Sequence, residues 1–103
     1  MWQTAEIRFA VDDPTAAGHF PGHPIIPGAL LLEEIVRAIA GAEAIARELV
    51  IPAVKFLAPV PPGGVVRLRW RSRGDGQISF EGRLGEAERL AAIGTLRLGS
   101  TAS

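Results

Sequence analysis

Three residues in the first third of the chain have the chemistry to act on a substrate: His19, Gly28 and Glu33. Histidine is the side chain whose ordinary pKa lies nearest neutrality, so it suits proton abstraction. A loop histidine can equally hydrogen-bond a backbone group, and residue type alone leaves both roles open. The setting narrows them. From Gly18 to Gly28, six of eleven residues are Gly or Pro, which forbids helix and regular strand. Phe20, Ile25 and Ile26 are apolar and the prolines are stiff, so the stretch reads as a rigid, partly buried loop of the kind that carries function. Glu33 lies in a run, Ala29 to Ala40, with nine of twelve residues apolar. At about 100° per residue its helix neighbours are Ala29, Val36 and Ala40 on one side and Arg37 on the other. A carboxylate there is either paired with Arg37 at i,i+4 or functional. Glu34 can reach the same arginine at i,i+3, and the residues alone do not choose between the two. Gly28 can act through its backbone. The first N–H groups of a helix have no intrahelical partner, lie at the positive dipole end and can polarise a carbonyl. A plain helix start after Pro27 is the alternative.

Two further groups have less to offer. His23 follows His19 by four residues, a metal-pair spacing on a helix, but Pro21, Gly22 and Pro24 exclude a helix, and no metal site is expected. Arg67, Arg69, Arg71 and Arg73 alternate along a strand. They read either as a solvated face partly paired with Glu81 across a hairpin, or as a dock for an acidic partner.

The elements that must hold these residues follow from periodicity. Ala5, Ile7, Phe9 and Val11 alternate with polar residues and predict a strand that stops at Asp12-Asp13-Pro14. The apolar run opened by Pro27-Gly28 predicts a helix ending between Gly41 and Glu48. With little polar face, it should be surrounded by protein. Val54, Phe56, Ala58 and Val60 predict one strand face, and Pro61-Pro62-Gly63-Gly64 a turn. Val66, Leu68 and Trp70, then Ile78 and Phe80, predict strands joined by the Gly74-Asp75-Gly76 hairpin. Gly85-Glu86-Ala87 turns into a last strand, Leu90 to Leu98. The order is strand, loop, helix and a four-strand meander: an α+β domain with an antiparallel sheet wrapped on one helix.

Composition sets the bounds. A chain of 103 residues suits one domain, 1–103, with a thin core. Sixteen alanines and 6% aromatics leave that core short of bulk, which close backbone approach or a partner subunit would supply. Eleven basic residues balance eleven acidic ones, so no field favours nucleic acid or an anionic membrane. There are no cysteines, hence no disulfide or thiolate chemistry. Charges interrupt the greasiest segment, so no membrane span is predicted, and the N-terminus lacks a signal-peptide pattern. A cytoplasmic location is the expectation.

His19-Phe20-Pro21-Gly22-His23-Pro24-Ile25-Ile26-Pro27-Gly28-Ala29-Leu30-Leu31-Leu32-Glu33 resembles the signature of the bacterial 3-hydroxyacyl-acyl-carrier-protein dehydratases, with every fixed position present. Lys55-Phe56-Leu57-Ala58-Pro59-Val60-Pro61-Pro62-Gly63 is similar to a second segment of that family. The resemblance implies a hot-dog fold, a long helix wrapped by the sheet. It implies a catalytic pair of His19 and Glu33, the latter rather than Glu34, completed across a homodimer. Gly28 would hold the thioester carbonyl, with Phe20, Gly22 and Pro27 beside the substrate. The substrate would be an acyl carrier protein or coenzyme A thioester, and no cofactor or metal is implied. Acyl carrier proteins are acidic, which gives Arg67, Arg69, Arg71 and Arg73 a docking role. An acyl thioesterase and a non-catalytic acyl-binding subunit are the other readings of the same scaffold. Two positions depart from the pattern: Gly64 replaces an Asp, and Arg37 stands where Gln is common. The chain begins about where the family's second strand begins, similar in size to the short dehydratases of aryl-polyene-type clusters.

Overall fold

A computed structural model describes residues 1–12, 25–45 and 48–99. The elements are β1 (Gln3–Arg8), α1 (Gly28–Ala42), β2 (Leu49–Phe56), β3 (Val65–Ser72), β4 (Gln77–Leu84) and β5 (Arg89–Leu98). The five strands form one antiparallel sheet in the order β1-β3-β4-β5-β2. With α1 packed on its inner face, this is the α+β hot-dog arrangement. Among the described residues no helix is long and apolar enough to cross a membrane.

Alternation in β3 and β4 decides which residues face the helix. Val66, Leu68, Trp70, Ile78 and Phe80 point inward and are buried, as are Ala91, Ala92 and Leu96 of β5. They meet a stripe of α1 at helical spacing, Leu31, Ile35 and Ile39. Each such side chain contributes about 1.5–3 kcal/mol by leaving water, so this stripe dominates the docking of the helix. The hairpin between β3 and β4 turns through Gly74, Asp75 and Gly76, all at positive φ (81°, 54° and 73°), the conformation such residues tolerate.

The structure corrects four expectations. The strands from Val54 onward do not form a four-strand meander. β3, β4 and β5 are consecutive neighbours, but β2 lies at the far edge and pairs with β5. The residues between β2 and β3 cannot make a tight hairpin, because Pro59, Pro61 and Pro62 lack ladder donors and the Val60 carbonyl accepts from Ile26 N at 2.7 Å. They carry the chain past the start of α1 to the β1 side, where Gly63 N donates to Ala10 O and Phe9 N to Gly64 O. For the same reason Ala58 and Val60 do not share a strand face with Val54 and Phe56; β2 stops at Phe56. The strand expected through Val11 ends at Arg8, with Phe9 buried beyond it and Val11 exposed. Finally, α1 is not surrounded by protein within one chain: Ala29, Glu33 and Arg37 are exposed along its outer flank.

One contact had no signal in the periodicity. Trp70 is 1% exposed, and its Nε1 donates to Glu43 Oε1 at 2.9 Å. Glu43 is the C-cap of α1, so the bond ties the helix end to β3 while satisfying a buried indole.

Candidate functional site

The site is built around the first turn of α1. Pro27 is the N-cap, with φ −57° and ψ 141°, and gives no side-chain cap. The helix ladder starts with Leu31 N donating to Pro27 O at 3.0 Å, so the preceding amides have no intrahelical partner. The first turn contains no acidic residue to offset the positive dipole end. The bond from Ile26 N to Val60 O fixes how the chain enters the helix.

Gly28 opens onto a pocket of about 340 Å³ lined by Ile25, Ile26, Leu31, Phe56, Leu57 and Val60. The walls are apolar. The ring of Phe56 lies over the glycine: a Cβ at position 28 would sit 3.1 Å from Phe56 Cε2 and 3.3 Å from two other ring atoms. Only glycine lets the ring approach so closely without displacement. Phe56 is 47% exposed, and with Leu57 it leaves a large apolar surface at the end of the edge strand. An amide at a dipole terminus, bordered by apolar walls, can polarise a carbonyl that enters the pocket.

Glu33 and Glu34 share one cation. Arg37 Nη2 donates to Glu33 Oε1 at 2.9 Å and Arg37 Nη1 to Glu34 Oε1 at 3.1 Å. The Glu33 side chain is 61% exposed and that of Glu34 30%. Pairs this open contribute about 0–1 kcal/mol. Glu33 is five residues beyond Gly28, which places it about 140° around the helix and about 7.5 Å along it. The two therefore lie on different flanks of α1. His19, Phe20, Gly22 and His23 lie outside the described residues.

The arginine stripe occupies the outer face of the sheet, away from α1, and its members differ. Arg67 lies 3.9 Å from Glu6 and 3.8 Å from Glu88. Arg69 is hydrogen-bonded to Glu81, directly opposite on β4, and Arg83 reaches the same carboxylate at 3.4 Å. Arg69 and Arg71 stack over Trp2, at 4.2 and 4.9 Å from the ring centroid. Arg73 Nη1 donates to Ser79 Oγ at 3.3 Å. A cavity of about 550 Å³ lies beside Glu6, Arg67, Arg69, Arg83 and Glu88. It is larger than the pocket at Gly28, but each of its arginines already faces a carboxylate, Arg67 near Glu6 and Glu88, and Arg69 and Arg83 sharing Glu81.

Phe56 and Trp2 were both missed as contributors to these surfaces. Phe56 stood in the second resembling segment, whose residues had no assigned role. Trp2 precedes the first period-two residue and carries no pattern of its own.

The ApeI-like family, described as ApeI dehydratase, matches residues 3–94. The chain belongs to this family. A 3-hydroxyacyl-acyl-carrier-protein dehydratase FabZ from Rhizorhabdus wittichii is 34% identical over 101 residues, covering 86% of this chain and 64% of that protein. The FabZ of Thermus thermophilus is 31% identical over 102 residues, covering 84% and 70%. In a Wolbachia FabZ and a Chlamydia trachomatis FabZ the match spans about half of the relative's length, 46% and 49%. Among solved structures, an uncharacterised protein from Erwinia carotovora subsp. atroseptica superposes with a TM-score of 0.81 at 25% identity, covering 97% of this chain and 84% of that one. The dehydratase heterocomplex ApeI:P from Xenorhabdus doucetiae gives 0.80 at 21% identity, covering 96% and 88%. That last likeness is one of fold. The ApeI-like chain thus has the hot-dog scaffold expected from its motif.

Proposed function

We propose that this ApeI-like chain dehydrates a (3R)-hydroxyacyl thioester, carried by acyl carrier protein or coenzyme A, to the trans-2-enoyl thioester. The observation that carries the reading is the uncapped start of α1 at Gly28, open to an apolar pocket, in a chain with the complete dehydratase signature. The Gly28 N–H polarises the thioester carbonyl, which acidifies the C2 proton and stabilises the enolate-like charge that develops when it leaves. His19 takes that proton as general base. Glu33 orients the 3-hydroxyl and helps expel it, and the hydroxyl leaves as water with a proton equivalent to the one His19 takes from C2. Phe20, Gly22 and Pro27 bound the acyl group. No cofactor or metal enters the reaction.

The site is completed by a second copy. Gly28 and Glu33, on different flanks of α1, are poorly placed to meet one substrate within a chain. The outer flank of α1 is open, and the edge strand β2 exposes Val50, Ile51 and Phe56 with unpaired backbone. A homodimer that pairs these edges covers the apolar surface and brings His19 and Gly28 of one subunit to Glu33 of the other. An acidic carrier docks on the basic outer face of the sheet.

Stereochemistry tests the reaction. Mass spectrometry of separate (3R)- and (3S)-hydroxyacyl thioesters after incubation should show loss of water from the first alone. Equal conversion, or none, would exclude the proposed geometry.

A further inference from the structure

The outer face of the sheet holds a groove of about 400 Å³ that runs across four strands, from Arg71 on β3 and Arg73 just beyond its end to Lys55 on β2. Its floor holds Ser79 and Glu81 of β4 and Ile93 and Thr95 of β5, with Trp2 also in the lining. The cross-strand register places Arg71 opposite Ser79, Ser79 opposite Thr95, and Lys55 opposite Ile93. Three strand spacings separate β3 from β2, about 14 Å.

Charge in this groove is unbalanced. Among the described residues, Lys55, Arg71 and Arg73 have no carboxylate partner, whereas Arg67 is held by Glu6 and Glu88. The single carboxylate lining the groove, Glu81, is already shared by Arg69 and Arg83, and its side chain is 17% exposed. Three cations on opposite rims, with the one carboxylate of the groove already engaged, suit a row of carboxylates about 14 Å long. A single phosphate would engage one rim only. Lys55 on the outer face is followed by Phe56 on the inner face, against Gly28, where β2 ends.

We infer that this groove, and not the arginine stripe as a whole, seats an acidic segment of the protein that carries the thioester, with Lys55, Arg71 and Arg73 as its contacts. The inference rests on the carrier reading above. Of the four arginines it keeps two, and it adds a lysine that the alternation of the stripe does not include.

The test is direct binding of a fluorescently labelled acyl carrier protein to the full chain at low salt, read as anisotropy. Replacing the three cations together (Lys55→Gln, Arg71→Ser, Arg73→Ser) should weaken binding by about tenfold or more, and Lys55→Glu alone by a comparable factor. Arg67→Ser should change it by less than about twofold. Raising salt to physiological strength should weaken the wild type most, because exposed charges are screened beyond about 8 Å. Thermal midpoints establish that the variants are folded. Unchanged binding by folded triple and Lys55→Glu variants, or an equal loss with Arg67→Ser, would overturn the assignment. Carrier binding with the stated pattern, but no turnover of any 3-hydroxyacyl thioester by the wild type, would support the docking groove and overturn the dehydration reading instead.

Discussion

Replacing Gly28 with alanine separates a structural role from a chemical one, because the structure gives the size of both effects. The added methyl would meet the Phe56 ring at 3.1 Å, a few tenths of an ångström inside ordinary contact. That ring is 47% exposed at the end of an edge strand, so it can move aside. Alanine is favoured over glycine in a helix by up to about 1 kcal/mol, which offsets the displacement. Net stability should stay within about 1 kcal/mol of wild type, a shift of the thermal midpoint under roughly 8 °C. Activity should respond differently. The methyl stands in the pocket where a carbonyl must approach the amide, and displacing a reacting group by about 1 Å can cost about 100-fold. Loss of an oxyanion donor costs about 10²–10³ in kcat. Turnover of a 3-hydroxyacyl thioester by Gly28→Ala should therefore fall about 100-fold, measured beside a thermal melt. Adding Phe56→Leu makes room for the methyl but leaves it in the path of the carbonyl, so turnover should not return. Full turnover by a stable Gly28→Ala protein would remove the amide from the chemistry. Recovery in the double variant would make ring packing the cause of the loss.

Other changes probe the remaining parts. His19→Ala should leave the fold intact and lower turnover by about 10² or more, as expected when a general base is lost. Glu33→Gln should be nearly as damaging and Glu34→Gln mild; the reverse order would shift the motif alignment by one residue. Sedimentation at micromolar concentration should show a dimer, and an active monomer would contradict a site shared between subunits. Gly94→Ala should destabilise by about 1–3 kcal/mol or more in urea unfolding, because its Cβ would lie 2.6 Å from Ala53 O and 2.7 Å from Phe80 Cζ.

The helix was legible because its signals are local. Pro27-Gly28 opens it, and the apolar spacing of Leu31, Ile35 and Ile39 gives both its length and its inner face. β3 and β4 were legible for the same reason: period-two alternation and a glycine-rich hairpin lie within a few residues of each other. Placement of β2 was not. Its neighbour in the sheet is β5, distant in sequence, and nothing in the periodicity of Val54 and Phe56 distinguishes an outer edge from a meander. The exposed flank of α1 was also hidden, since an apolar run reads as buried whether the cover is the same chain or another. At the site, the motif singled out Gly28 and Glu33, both on α1, and helical spacing put Arg37 within reach of Glu33 and Glu34; that it bridges the two at once is what the structure adds. Phe56 over Gly28 depends on the path of residues 57–64 past the helix start, a tertiary feature with no local signature. The arginine stripe was visible as a pattern, while the pairing that divides it depends on Glu6, Glu81 and Glu88 from three other places in the chain.

Product analysis on one substrate separates the possible activities most directly. The purified chain is given a 3-hydroxyacyl thioester, with the absorbance of the conjugated enoyl thioester and the appearance of free thiol followed in parallel. Dehydration predicts a rise in enoyl absorbance with no thiol released. Thiol without enoyl product would assign the chain to thioester hydrolysis, and neither signal from a folded protein would leave it without the proposed catalytic role.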